Sequence, residues 1–366
     1  MKICFVALQA YPCLKDNFSV DKRIGGAEIQ QVLIAREFKK RGVDVSFITL
    51  DYGQKDEEII DGIKVYKASK PKEGLKFINF FYPGLVKLWK ALKKANAEIY
   101  YVRGAGFLPG ILALFSNIYN KKFIFAAASD TNFCLSMLKK TRLKRDLLLY
   151  IFGLKRANAI IVQNNKQKEN LSKNFGLNGI LIRNYYSPIV NVNNPKKDII
   201  LWVSTIKNIK RPELFIKLAR NFPDEKFVMI GGPNKKKDPF YEYIKEKAKK
   251  VKNLIFMGFQ PFKFTEKIFW SCKLFVNTSN YEGFPNTFLQ AWSRGVPVLS
   301  TVNPDNIIKE NGLGLVANDE NELISQMKNF LDKRITFDGS KIKKFFLKNF
   351  AESVISQYLN LFKKLY

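Results

Sequence analysis

Along the chain, short runs dominated by Val, Ile and Phe alternate with longer segments whose apolar residues recur at helical spacing. Runs this apolar suit strands buried on both faces, and their alternation with helices is the signature of stacked βα units around a parallel sheet. Two such series are present. The first predicts strands at 3–8, 43–50, 63–66, 99–102, 123–127, 159–163 and 180–183, and the second at 199–204, 227–231, 254–257, 274–277 and 296–300. Between the first two strands, Ile29, Val32, Leu33 and Phe38 share a helical face, and Gly42 suits the left-handed residue that ends such a helix. The stretch SPIVNVNNP, Ser187 to Pro195, has neither period and reads as a linker. The expected fold class is therefore α/β, with two doubly wound Rossmann-like domains over 1–187 and 188–341. A last helix over 342–366, with no strand after it, is expected to pack back on the first domain. Two such domains facing each other form a cleft at the carboxyl ends of their sheets, where ligands of open α/β sheets bind.

Composition sharpens this picture. At 366 residues the chain exceeds what one core usually organises, and 46% apolar residues with 32 phenylalanines supply material for two. Charged residues at 26% exclude wholesale disorder. There is no histidine, which removes Ser-His-Asp and Cys-His catalysis, histidine metal ligation, and the one side chain that titrates near neutrality unperturbed. The formal charge of +30 is spread over both halves and favours polyanionic partners: nucleic acid, anionic membrane or phosphorylated substrate. A Lys-rich, Asn-rich and Phe-rich coding bias is the plainer source of part of it. Cys4, Cys13, Cys134 and Cys272 form no C-x-x-C pair, which argues against zinc and a disulfide framework and for a reducing cytoplasm. The apolar run after Lys2 is too short for a signal-peptide core, and the uncharged stretch 104–120 is too short and too rich in glycine to span a bilayer.

The most informative segment is NTSNYEGFPNTFLQAWSRGVPVLST, Asn277 to Thr301. A strand ends, a turn carries Glu282 and Gly283, a helix begins near Pro285, and Gly295 suits its end. Backbone N–H groups around Phe284, Asn286 and Thr287 would offer a site for an anionic or hydroxylated ligand. An acid beside such a site is best explained by a polyol, whose hydroxyls donate to the carboxylate while the helix start takes a phosphate. In WVSTIKNIKRPELFIKLA, a buried strand delivers Thr205, Lys207 and Lys210 to the loop before the next helix. Fixed cations there would neutralise a diphosphate leaving group, although a solvated basic loop is the plainer alternative. Gly25 and Gly26, in RIGGAE, open the first domain's first helix. They read either as a phosphate-approach loop or as a glycine turn with Glu28 as a first-turn acid.

The Glu282 segment closely resembles the E-x7-E motif of family 4 glycosyltransferases of the GT-B fold, usually of the form E-G-F-P-N-x-x-x-E-A. Glu282, Gly283, Phe284, Pro285, Asn286 and Ala291 match, and Gln290 stands where the second glutamate is usual. In the family that position binds the nucleotide ribose, and a neutral acceptor there should weaken the bond by about 1 kcal/mol. The family places an Arg and a Lys for the donor diphosphate in the loop after the second domain's first strand. Lys210 matches the Lys, Thr205 occupies the usual Arg position, and Lys207 is close enough to compensate. The resemblance also draws Gly25 and Gly26 towards the cleft, and places the Gly231–Gly232 loop near the nucleotide. The family's usual histidine at a first-domain strand end is absent. Ser129 and Asp130 lie near that place, with Arg103 ending the preceding strand, and are candidates for acceptor or sugar contact. A strand-end cap is the structural alternative.

The resemblance implies a glycosyltransferase that moves a sugar from a nucleotide-sugar donor to a hydroxyl acceptor with retention. It implies no bound metal and no cofactor beyond the nucleotide sugar as co-substrate. Glu282, Lys210 and Lys207 carry the chemistry. Gly25, Gly26, Thr205, Gly283, Phe284, Pro285, Asn286, Thr287 and Gln290 bind the donor. The acceptor expected is a glycan or lipid-linked molecule in cell-surface polysaccharide or glycolipid assembly. The alternative reading is a non-catalytic sugar-nucleotide or polyanion-binding protein with a degenerate site. Two segments join basic to large apolar residues: 135–157, with seven Lys or Arg against the single Asp146, and 70–94, with Phe77, Phe80, Phe81 and Trp89. They suit either helices lying on an anionic membrane surface, making the protein cytoplasmic and peripheral, or core helices with a solvated basic face. No nucleic-acid-binding fold or aromatic RNA motif is present, so nucleic acid is not an expected partner.

Overall fold

The structure, a computed structural model, describes residues 1–15, 25–71, 73, 80–188, 195–235 and 237–366. Most of the expected linker, at 189–194, and Phe77 lie outside these. The first buried run forms β1 (Lys2–Val6), joined in chain order by β2 (Asp44–Thr49), β3 (Glu58–Ile60), β4 (Ile63–Lys67), β5 (Ile99–Arg103), β6 (Lys122–Ala126), β7 (Ala159–Val162) and β8 (Ile180–Leu181). They form a sheet in the order β3-β4-β2-β1-β5-β6-β7-β8, with β3 antiparallel to β4 and every other pairing parallel.

The period of two along these strands divides the first core into two layers. Ile3, Phe5, Phe47 and Tyr101 face one side with Phe38 of the helix Gly26–Lys40. Cys4, Val6, Tyr100 and Phe125 face the other, with residues of the helices Val86–Ala95, Leu108–Ile118 and Lys144–Arg156. The last two helices approach at glycines: a Cβ on Gly110 would lie 2.4 Å from the Leu149 carbonyl oxygen, and one on Gly153 2.3 Å from the Pro109 carbonyl carbon. The uncharged stretch that stood out in the sequence is thus mostly a core helix. Among the described residues no helix is long and apolar enough to cross a membrane.

The second sheet contains β9 (Ile199–Val203), β10 (Lys226–Ile230), β11 (Leu254–Gly258), β12 (Cys272–Asn277), β13 (Val298–Ser300) and β14 (Gly314–Val316), all parallel, in the order β11-β10-β9-β12-β13-β14. Both sheets are doubly wound: the chain builds outward on one side of β1 or β9, then crosses to the other.

Two strands are additions to the sequence reading. β3 and β4 form a hairpin whose turn residues Asp61 and Gly62 both have positive φ, 50° and 74°. That is the Asp-Gly signal for a two-residue turn, present in the sequence but passed over. β14 is three residues long and starts at Gly314, where φ is 151° and a Cβ would lie 1.9 Å from the Val298 carbonyl oxygen. A glycine forced by a neighbouring strand hides the strand from propensity.

The expected single terminal helix is two, Gly339–Phe350 and Glu352–Leu365, broken at Ala351 with φ −95° and ψ −113°. Residues 186–352 belong to one compact unit, while 353–366 belong with 1–15 and 25–185 to the other. Phe346 and Phe350 face Tyr186, Phe284 and Trp292 in their own unit, and Tyr358 and Phe362 join the Phe38 and Tyr101 core in theirs. The apolar stripe runs through at i, i+4 spacing from Phe346 to Phe362, which is why the break is not visible in the sequence.

Candidate active site

In the second unit the crossover places the carboxyl ends of β9 and β12 side by side, the switch point at which doubly wound sheets hold ligands. The loop after β9 is pinned along its length. The Ile206 amide donates to the Gly232 carbonyl at 2.9 Å, a short 3₁₀ turn spans Asn208–Lys210, and Arg211 (φ 44°) turns the chain into the helix Pro212–Asn221. Gly231 is required by this packing, since a Cβ there would lie 2.0 Å from the Ser204 carbonyl oxygen.

Thr278, fully buried just after β12, ties the two loops together. Its hydroxyl accepts from the Trp202 indole N–H at 3.0 Å and donates to the Lys210 carbonyl at 2.7 Å. Its carbonyl accepts from Arg211 Nε at 2.8 Å, and the Asn280 amide donates to the Ile209 carbonyl at 2.9 Å. On this base Lys210 Nζ donates to Glu282 Oε1, which also accepts from Ser279 Oγ at 2.7 Å. Both side chains of the pair are about five-sixths buried, at 15% and 17% exposure. Lys207 stands close enough to feel both charges. Burial first, and Lys210 second, push its ammonium pKa below the ordinary lysine value, with Glu282 pulling the other way. Two cations and one carboxylate therefore converge on the crevice, with the half-buried Thr205 at the start of the same loop.

The rest of the motif divides between support and surface. Gly283, Phe284 and Pro285 are buried, and the Phe284 ring packs on Phe350 with centroids 5.2 Å apart. Pro285 is the N-cap of the helix Asn286–Trp292 rather than its first residue, so Asn286 and Thr287, half-buried, form the first turn. Gly295 has φ 66° and meets the start of the helix Gly339–Phe350, where a Cβ would come 2.4 Å from the Gly339 carbonyl oxygen. Gln290 is buried, and its Nε2 donates to Glu266 Oε1. The other oxygen of Glu266 accepts from Arg294 Nη2 at 2.8 Å and from the Tyr186 hydroxyl.

The remaining candidates lie in the first unit. Gly25 and Gly26 follow β1 and Arg103 ends β5, so they flank that sheet's own switch point. The Gly25 amide donates to Glu28 Oε2 at 3.0 Å, the geometry of a capping box, and burial pushes the Glu28 carboxyl pKa up. Ser129 accepts from the Thr131 amide at 3.4 Å, the geometry of a cap on a short 3₁₀ turn. Asp130 Oδ1 accepts from Asn164 Nδ2 at 2.9 Å and Gln167 Nε2 at 3.0 Å. Buried Arg103 donates from Nη2 to Asn184 Oδ1 at 2.6 Å. Sequence reasoning overlooked Thr278, Ser279 and Glu266. The first two lie four and three residues before Glu282, whereas Glu266 lies 24 residues before Gln290 with no pattern to announce it.

Two doubly wound α/β domains have the architecture of the GT-B class of glycosyltransferases. The glycosyl transferases group 1 family matches residues 197–333, and the glycosyltransferase family 4 domain matches residues 24–184. The chain belongs to this family. Its fold is shared with the sucrose-phosphate synthase of Thermosynechococcus elongatus, at TM-score 0.79 and 16% identity over 100% of this chain and 99% of that one. The lipopolysaccharide outer core galactosyltransferase WaaB gives 0.68 and 16%, over all of both chains. The pneumococcal O-GlcNAc transferase GtfA, solved with UDP and GlcNAc, gives 0.68 and 10%, over 100% and 99%. No curated protein matches the chain in sequence.

Proposed function

We propose that this glycosyltransferase moves a sugar from a nucleotide-sugar donor to a hydroxyl acceptor with retention of configuration. The observation that carries the reading is the Lys210–Glu282 pair beside Lys207 at the β9/β12 switch point. In the free protein each member of the pair satisfies the other. When the donor binds, its diphosphate takes Lys210 and Lys207, and the sugar hydroxyls donate to Glu282. Stabilising the departing diphosphate is the main electrostatic demand of the reaction, and two fixed cations in a partly dry site meet it without a metal or cofactor. The acceptor hydroxyl attacks on the leaving-group face, and a donor phosphate oxygen takes its proton. Gly25, Gly26, Thr205, Gly283, Phe284, Pro285, Asn286, Thr287 and Gln290 are assigned to the donor, and Arg103, Ser129 and Asp130 to the acceptor side.

The acceptor in this reading is a glycan or lipid-linked molecule of cell-surface assembly, reached from the cytoplasmic face of a membrane. The helices Leu135–Thr141 and Lys144–Arg156 support it. Lys139, Lys140, Arg142 and Lys144 are exposed there, together with Leu143 and Leu148 at 66% and 70% exposure. Basic side chains around protruding leucines suit the headgroup region of an anionic leaflet.

Incubation with a panel of nucleotide sugars in the presence of a chelator, following nucleotide release, tests the whole. Donor-selective release that is lost in Lys210→Ala and Glu282→Ala supports the transferase and names the donor. Tight donor binding without release, even with membrane extract as acceptor, favours a non-catalytic binding protein.

A further inference from the structure

The geometry points to Glu266 as a positioning residue that decides which end of the Gln290 amide is offered to the nucleotide. This rests on the donor reading of the switch-point site. An amide presents an accepting oxygen on one side and a donating nitrogen on the other, two ends of nearly equal size, so its direction is set by its partners. An ionised carboxylate only accepts. Glu266 therefore holds the Gln290 nitrogen against its Oε1, and the reversed amide would set oxygen against oxygen. Glu266 is in turn fixed through its second oxygen by Arg294 and Tyr186, all three side chains being buried. Gln290 Oε1 accepts no hydrogen bond from a described residue, on a side chain that retains 4% exposure. The arrangement leaves one acceptor with free lone pairs, eight residues beyond Glu282, for a ligand that donates. The ribose hydroxyls of a nucleoside diphosphate are such donors.

The neutral residue at 290 is then the complement of a carboxylate supplied from another helix, rather than the remnant of a lost acid. Glutamate at 290 would place two carboxylates in hydrogen-bond contact around one arginine, and like charges at that distance cannot both stay ionised at ease. Restoring the acid usual in the family should therefore weaken the site in this chain.

The test measures binding of UDP, GDP and ADP against their 2′,3′-dideoxy counterparts by calorimetry. Wild type, Glu266→Gln, Gln290→Glu and the exchanged double variant are compared. The ratio of ribose to dideoxyribose affinity within each protein isolates the hydroxyl contact, so loss of folded material cancels. For the nucleotide that binds best, wild type should prefer the ribose form about five- to tenfold, the worth of a net hydrogen bond. Glu266→Gln should bring the ratio close to one, because either end of the Gln290 amide can then face its neighbour. Gln290→Glu alone should also lower it. The double variant, which again pairs one amide with one carboxylate, should recover most of the preference. An undiminished ratio in Glu266→Gln, or a larger one in Gln290→Glu, overturns the proposal while leaving the donor reading intact. No binding of any of these nucleotides by wild type overturns both.

Discussion

Lys210 Nζ donates to Glu282 Oε1 across 72 residues of sequence, and the two side chains lie against the same buried threonine-anchored junction between β9 and β12. A pair this shielded is sensitive to the loss of either partner, because the survivor is left with a charge that water reaches poorly. Its two members should therefore behave as a unit.

Lys210→Ala and Glu282→Ala are each expected to lower kcat by about a hundredfold or more, the usual effect of removing one preorganised charge contact from a transition state. The double variant should lose clearly less than the product of the two losses, since each single change already disrupts the shared constellation. Steady-state kinetics on the donor identified by nucleotide release measures all three. Losses that multiply would place the two residues in independent roles.

Lys207 makes a prediction about pH. Its ammonium is destabilised by burial and by Lys210, so in the free enzyme it loses its proton at a lower pH than an ordinary lysine. A bound diphosphate opposes both effects and holds the proton on. The alkaline fall of kcat/KM, which reports the free enzyme, should begin at lower pH than that of kcat, which reports the complex. Lys207→Arg should remove the early fall, because a guanidinium stays charged throughout the range. Coincident alkaline limbs in wild type would remove Lys207 from the charge-stabilising role.

Thr278→Val keeps the shape of a fully buried side chain but removes the hydroxyl that accepts from Trp202 and donates to Lys210. The indole N–H of Trp202, itself on a buried side chain, is left without its partner, at a cost of about 1–3 kcal/mol. The urea midpoint should fall with an unchanged slope, and kcat should fall as the Lys210 backbone loosens. A stable variant with reduced kcat would assign Thr278 to positioning alone.

These residues also show where the sequence was legible. Strands buried on both faces announce themselves through Val, Ile and Phe, and Glu282 with Lys210 stood out because a turn before a helix and a basic loop after a strand have recognisable chemistry. The hairpin turn at Asp61–Gly62 was legible but unread. What could not be read depends on backbones meeting in space. β14 begins at a glycine demanded by Val298, and Gly231 is required by the approach of the Ser204 carbonyl. The terminal helix breaks at Ala351 although its apolar spacing continues. Glu266 belongs with Gln290 only after the fold brings two helices together.

The crossing of the helices Leu108–Ile118 and Lys144–Arg156 offers a test of that dependence on close backbone approach. Gly153→Ala would set its Cβ 2.3 Å from the Pro109 carbonyl carbon, which is backbone and cannot swing aside. The helices must separate, and overpacking of this kind costs about 1–3 kcal/mol. Thermal denaturation should show a lower midpoint for Gly153→Ala, although alanine is the better helix former by about 1 kcal/mol. An unchanged or raised midpoint would mean that the two helices yield freely.

The same helix, together with Leu135–Thr141 before it, carries the surface assigned to a membrane, and the contribution of charge there can be separated from that of apolar contact. Lys139, Lys140, Arg142 and Lys144 are exposed, and each basic residue near an anionic leaflet contributes about 1 kcal/mol. Replacing all four with serine should weaken binding to phosphatidylserine-containing vesicles by about a hundredfold or more, and should make the remainder less sensitive to salt. Leu143→Ser with Leu148→Ser should weaken binding as well but leave the salt dependence in place, since those side chains act by burial in the headgroup boundary. Nucleotide release in solution should be unchanged in both variants if this face serves only to bring the enzyme to its acceptor. Wild-type protein that ignores anionic vesicles at low salt would instead make these helices a solvated basic face.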